Sequence, residues 1–176
     1  MNTRVASIGG ENRSATYSPC GHYRYELSVS FPGDLFGGGT CAFIGLNPST
    51  ATELQDDPTI RRIKNFVLSW GYTRLVMLNA YAFRSTDPRG LWQQQDPVGV
   101  ENDATIARVA AEAGRICLAW GVHVQPGRRI ELANMLAPHA EKLVCLGTNQ
   151  DGSPKHPLYL ANDTEVVPYI FPRMGV

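Results

Sequence analysis

The chain has no Cys-x-x-Cys pair, and its 4 cysteines are scattered over 176 residues. Cys41, Cys117 and Cys145 sit inside apolar runs, where a free thiol behaves as a small buried hydrophobe, and Cys20 stands apart. That distribution argues against a zinc or iron–sulfur centre, and a reducing compartment argues against disulfides; no metal and no cofactor are expected. Long apolar runs are missing too. No stretch approaches the length of a membrane span, and Met1-Asn2-Thr3-Arg4 lacks the apolar core of a signal peptide, so none is expected. The expectation is a cytoplasmic protein with no membrane partner. Charge of one sign is also lacking, with 16 Lys+Arg against 16 Asp+Glu. A net charge of zero removes any global attraction to nucleic acid but permits a local basic patch.

What is present suits one globular domain with a real core, since 43% of residues are hydrophobic and 18% charged. Residues 1–18 carry Gly9-Gly10 and no hydrophobic period, which predicts a flexible arm ahead of a single domain over 19–176. Tyr23, Tyr25, Leu27, Val29 and Phe31 alternate with Arg24, Glu26, Ser28 and Ser30, the pattern of an edge strand with one wet face. Glycines 37–39 then turn the chain into the apolar run at 40–46, so an antiparallel hairpin is expected. Asp57-Pro58 opens a helix with Ile60, Ile63, Val67 and Trp70 on one face. Three more short apolar runs, at 75–78, 116–119 and 143–146, alternate with helices near 102–113 and 126–137, the second with Ile130, Ala133 and Leu136 or Ala137 inward. The predicted fold class is therefore α/β: a three-layer sandwich around a central, mostly parallel, four-stranded sheet, plus an antiparallel edge hairpin.

In such sheets ligands bind beyond the carboxyl ends of the strands. Here those ends run into Asn47, Asn79, Trp120-Gly121-Val122-His123 and Gly147-Thr148-Asn149. The first is the most telling, because Gly45-Leu46-Asn47-Pro48-Ser49-Thr50 stops a buried strand abruptly in hydrogen-bonding side chains. One crevice lined by all four ends is the expectation.

Four segments in order, Gly45-Leu46-Asn47-Pro48, Leu75 to Asn79, Leu118 to Gln125 and Lys155-His156-Pro157-Leu158, resemble motifs of the uracil-DNA glycosylase superfamily. The chain looks like a member of a bacterial domain family with GLNPST, DDPTIRR, WGY and HPLYL motifs that is similar to that superfamily. The resemblance implies a glycosylase-like fold and cleavage of the N-glycosidic bond of a modified or damaged base in DNA. By its implication Asn47 and His156 are the catalytic pair, Asn47 holding the attacking water and His156 stabilising the departing base. Asn79 reads the base edge, and Leu158 or Tyr159 fills the gap that a flipped base leaves.

The chemistry is consistent with those residue types. Breaking an N-glycosidic bond creates a sugar cation and a base anion, so a catalyst needs a held water, hydrogen-bond donors to the base and a dry pocket. An Asn side chain carries the donor–acceptor pair that matches an imide edge. Leu46, Pro48, Ser49 and His123 lie beside these positions, and Asp57, Arg61, Arg62 and Arg84 are further substrate-binding candidates, the two consecutive arginines being near a helix amino end that favours phosphate. Plainer readings exist for each: Asn47-Pro48 as a turn, Asn79 as a loop cap, His123 and His139 as surface residues, Trp70 and Trp120 as core, Arg61, Arg62 and Lys64 as a solvated helix face. No aromatic residue lies between Ala51 and Ile60 to stack on a base. Two other functions therefore stay open, an enzyme of free nucleosides or nucleotides and a non-catalytic nucleic-acid or nucleotide binder with a degenerate site.

Overall fold

The computed structural model describes residues 1–33 and 38–172. One mixed sheet of eight strands runs through them in the order β1-β2-β3-β5-β4-β6-β7-β8. The strands are β1 (Asn2–Ile8), β2 (Glu11–Tyr17), β3 (Arg24–Ser30), β4 (Thr40–Gly45), β5 (Arg74–Asn79), β6 (Arg115–Leu118), β7 (Leu143–Cys145) and β8 (Val167–Pro168). This corrects the expected mostly parallel four-stranded sheet. Four of the seven pairings are antiparallel, and the parallel ones join β5, β4, β6 and β7. Periodicity finds a strand but not its neighbours, so neither the strand count nor the pairing sense follows from it.

The largest departure is at the N-terminus. Residues 1–18 were expected to be a flexible arm, yet β1 and β2 form a hairpin that adds two strands to the sheet. Polar residues conceal it, because β1 is exposed on almost every side chain and only alternate residues of β2 are buried. Its anchorage is ionic as much as apolar. The buried Arg13 pairs with Asp56 and donates to the Thr52 carbonyl at 3.2 Å. Lys64 pairs with Glu11 at 2.5 Å and Asp56 at 2.9 Å, so it is not the solvated helix residue expected of it. The β3 strand, flanked by β2 and β5, is internal rather than an edge, and it forms no hairpin with β4. The glycine-rich turn proposed between them lies largely outside the described residues.

Helices cover both faces. On one, α1 (Pro58–Ser69) packs Ile60, Ile63, Phe66 and Val67 onto Cys41, Phe43, Leu75 and Met77. Asp57 caps it as the sequence predicts, accepting from the Ile60 amide at 2.8 Å, with Pro58 in the first turn where a missing N–H costs nothing. On the other face, α2 (Asn102–Glu112) and α3 (Pro126–Leu136) pack Ile106, Val109, Leu132 and Leu136 against Ala42, Ile44, Val76 and Leu78. The inward stripe of α3 is Arg128, Leu132 and Leu136, and Ile130, expected inside, is 48% exposed. The cause is Arg128, whose guanidinium donates to the Ala80 carbonyl at 2.9 Å and pairs with Asp103 at 2.5 Å, fixing the helix rotation. Among the described residues no helix is long and apolar enough to cross a membrane.

Candidate functional site

The loops after β4 and β5 are zipped together by backbone hydrogen bonds. Ala80 N donates to Gly45 O at 2.8 Å, Tyr81 N to Leu46 O at 2.9 Å and Ser85 N to Pro48 O at 2.9 Å. The third wall comes from the chain after β7, which turns back so that Lys155 N donates to Gly147 O at 2.9 Å and Gly121 N to Pro154 O at 3.0 Å. Gly121 has φ +72°, a conformation that glycine adopts freely, and it brings the end of the β6 loop against His156. Between these walls and the amino end of α1 lies a cleft of about 530 Å³.

Leu46, Asn47, Ser49, Asp57, Asn79, His123, His156 and Tyr159 all line the cleft. The other expected residues do not. Pro48 is buried and its carbonyl is taken by Ser85. Leu158 packs outside the cleft lining, and Arg61 is exposed, donating to the Asp56 carbonyl. Arg62 binds Asn162, and Arg84 lies over the Tyr17 ring at 5.3 Å while donating to Gly21 O. Neither Arg61 nor Arg62 therefore lines the cleft at the α1 amino end, where a phosphate site was expected of them.

Asn79 is the most informative of these residues. It is 1% exposed, and neither its Nδ2 nor its Oδ1 has a hydrogen-bond partner. Its backbone is well held, because Asn102 Nδ2 donates to the Asn79 carbonyl at 3.0 Å and to that of Ala80 at 3.3 Å. The expected alternative, a loop cap, fails because the side chain caps nothing. A buried amide left without partners costs about 1–3 kcal/mol per group, so such groups are rare unless a ligand completes them. Gly45 makes the space: a Cβ there would come within 2.6 Å of Met77 Cε and 3.1 Å of Asn79 Oδ1.

Asn47 differs. Its Nδ2 donates to Ser85 O at 2.8 Å and Pro48 O at 3.0 Å, so the amide orientation is fixed and Oδ1 is left as an acceptor. Asn47 thus sits in a bend and presents a carbonyl oxygen. On the facing wall, His156 Nδ1 accepts from the Leu158 amide at 3.3 Å. A neutral ring with Nδ1 accepting carries its proton on Nε2, a donor. Burial lowers the imidazole pKa below its usual 6.5, and the Asp57 carboxylate opposes the shift.

This has a consequence for stability. The folded protein favours the neutral ring, while the unfolded chain takes up a proton below about pH 6.5, so stability present above that pH is lost as pH falls through the lower folded value. Thermal melts from pH 7.5 to 5 are expected to fall more steeply for the native protein than for His156→Asn, and parallel curves would contradict the burial of this ring.

Trp120 satisfies both of its readings, since it is buried as a core residue and also lines the cleft at its strand end, with Nε1 unpartnered. It brings to the cleft wall an aromatic residue that the segment after β4 lacks. Arg24, read as one of the wet-face residues of its strand, is 2% exposed and lines the cleft. The pairing shift between β2 and β3 explains the error: Thr16 opposes Glu26 but Tyr17 opposes Arg24, so the strand carries one extra residue at Tyr25. An extra residue reverses the alternation on its far side, here setting Arg24 opposite Tyr17 and in the cleft with Ile60 and Ile63 of α1.

No curated protein and no solved structure matches the chain. One family model does, over residues 24–158, from the buried arginine to the turn after His156 and without the N-terminal hairpin. That match covers more than half of the chain, which therefore belongs to the family described as "Protein of unknown function (DUF1643)".

Proposed function

We propose that the cleft binds a nucleobase and that the protein hydrolyses the N-glycosidic bond joining that base to its sugar. The observation that carries this reading is the Asn79 side chain, a buried amide with both a donor and an acceptor unmet inside the cleft. A pyrimidine imide or purine amide edge presents the complementary pair, which would relieve both groups at once. The neighbouring residues suit the reaction. The bond from C1′ to the base nitrogen breaks with its electron pair leaving on the base. Water oxygen bonds to C1′, and the proton this water sheds ends on the base or in solvent. His156 donates its Nε2 proton in a hydrogen bond to the anionic base. Asn47 Oδ1 accepts from the water, and the Asp57 carboxylate on the same cleft supplies negative charge facing the sugar cation. An amide is a poor base, which suits a loose, cation-like transition state that needs little deprotonation of the water.

The test is base release from nucleosides, nucleotides and oligonucleotides carrying uracil, hypoxanthine or hypermodified pyrimidines. At least one member is expected to yield free base, with His156→Ala and Asn47→Ala each slower by about a hundredfold, the usual effect of removing one transition-state hydrogen bond. No release across the panel, or release indifferent to both substitutions, would refute hydrolysis at this site.

A further inference from the structure

We propose that the ligand of this cleft carries an oxyanion, of phosphate or carboxylate type, and that Arg24 binds it beside the Asn79 amide. Burying a guanidinium is costly unless its charge and its five N–H groups are met. Arg24 meets few of them. One Nη1 bond goes to the Ala51 carbonyl, Nε is buried without a partner, and no ion pair to it is found among the described residues. The other buried arginines differ in having ion pairs: Arg13, whose Nε is likewise unpartnered, has Asp56, and Arg128 has Asp103 and Glu131. Burial pulls the Arg24 pKa down to about 10, against the opposing influence of Tyr17, Asp57 and Glu53. It remains a cation at neutral pH, with less anionic company than its burial calls for. Glu53 is occupied by the Tyr17 hydroxyl at 2.8 Å, and one oxygen of Asp57 by the Ile60 amide.

The local fold is arranged to produce this. Arg24 begins β3, next to the end of β5 that carries Asn79, and its backbone N–H donates to Ala82 O at 3.0 Å. The bulge at Tyr25 is what aims its side chain onto the cleft face instead of the opposite one. Without that extra residue the position would hold an apolar side chain in the core stripe of Leu27 and Val29. Planar guanidinium donors match carboxylate and phosphate oxygens in pairs, so an oxyanion meets the Nε–H and adds a charge-assisted bond.

The inference rests on the nucleobase reading only for the identity of the rest of the ligand. Calorimetric titrations with uridine against uridine 5′-monophosphate, uracil against orotate, and inorganic phosphate alone separate the two. At least one anionic probe is expected to bind about tenfold tighter than its neutral counterpart, the first pair indicating phosphate and the second carboxylate. Arg24→Met is expected to abolish that preference, so that the anionic and neutral probes of the pair bind alike. Arg24→Lys should keep part of it. Binding of phosphate that depends on Arg24, with no binding of any nucleobase, would uphold this inference and refute the nucleobase reading. Equal affinities within both pairs together with no phosphate binding would overturn it, and that comparison on the unsubstituted protein holds even where a variant fails to fold.

Discussion

Asn79→Leu is expected to make the protein more heat-stable and at the same time unable to hold its ligand. The two side chains are close in shape, and the native amide has both polar atoms buried without partners. Replacing such a group by an apolar one of similar volume removes a desolvation cost of about 1–3 kcal/mol. In a chain of this size each kcal/mol moves the melting temperature by about 2–4 °C, so a rise of several degrees is expected in a thermal melt. Ligand affinity should fall by about a hundredfold or more, because two hydrogen bonds are lost and the base edge would then be buried against methyl groups. A residue kept at the expense of stability points to function, since a purely structural amide would have found a partner. Asn79→Leu that melts lower than the native protein would instead show that the amide is satisfied in the folded state.

Deleting residues 1–17 is expected to abolish cooperative folding. The hairpin supplies Ala15 and Tyr17 to the core around Leu27 and Phe43. It also supplies Arg13 and Glu11, the partners of Asp56 and Lys64 on the other side of the contact. Removing one side of a buried ion pair typically costs about 3–5 kcal/mol, and losing a buried aromatic side chain about 3 kcal/mol more. Against a typical total stability of about 5–15 kcal/mol, that is enough to leave the truncated chain without a sharp transition. Circular dichroism melts decide the matter: a truncated protein melting within about 5 °C of the full chain would mean the hairpin is the loose arm its polarity suggests. The family match begins only at residue 24, so this outcome also tells whether the matched segment depends on the hairpin that precedes it.

The sequence makes the buried strands and the cap of α1 legible, because both depend on local chemistry. Four apolar runs mark β4 to β7, and Asp57-Pro58 marks a helix start that the structure keeps. It does not make the sheet legible. Pairing is a long-range matter: β3 lies against β5 rather than β4, and a polar hairpin joins an edge with few buried side chains to announce it. The site divides in the same way. Asn47, Asn79 and His156 stand at the ends of recognisable runs, and the cleft gathers them as expected. Arg24 was hidden by its own strand, where strict alternation assigns it to the solvent face, and a single extra residue at Tyr25 reverses the assignment. Arg61 and Arg62, attractive as a pair beside a helix start, point away to Asp56 and Asn162.

The account turns on whether the Asn79 amide receives a nucleobase, and nuclear magnetic resonance can watch that group directly. In a titration of the isotope-labelled protein with free uracil, hypoxanthine and thymine, the Asn79 side-chain NH2 pair is expected to shift and saturate with at least one base. The Asn102 pair, bound to backbone carbonyls on the far side of β5, should move little. An Asn79 signal that stays in place at millimolar concentrations of every base, uridine and uridine 5′-monophosphate included, would contradict the assignment of this cleft to a nucleobase.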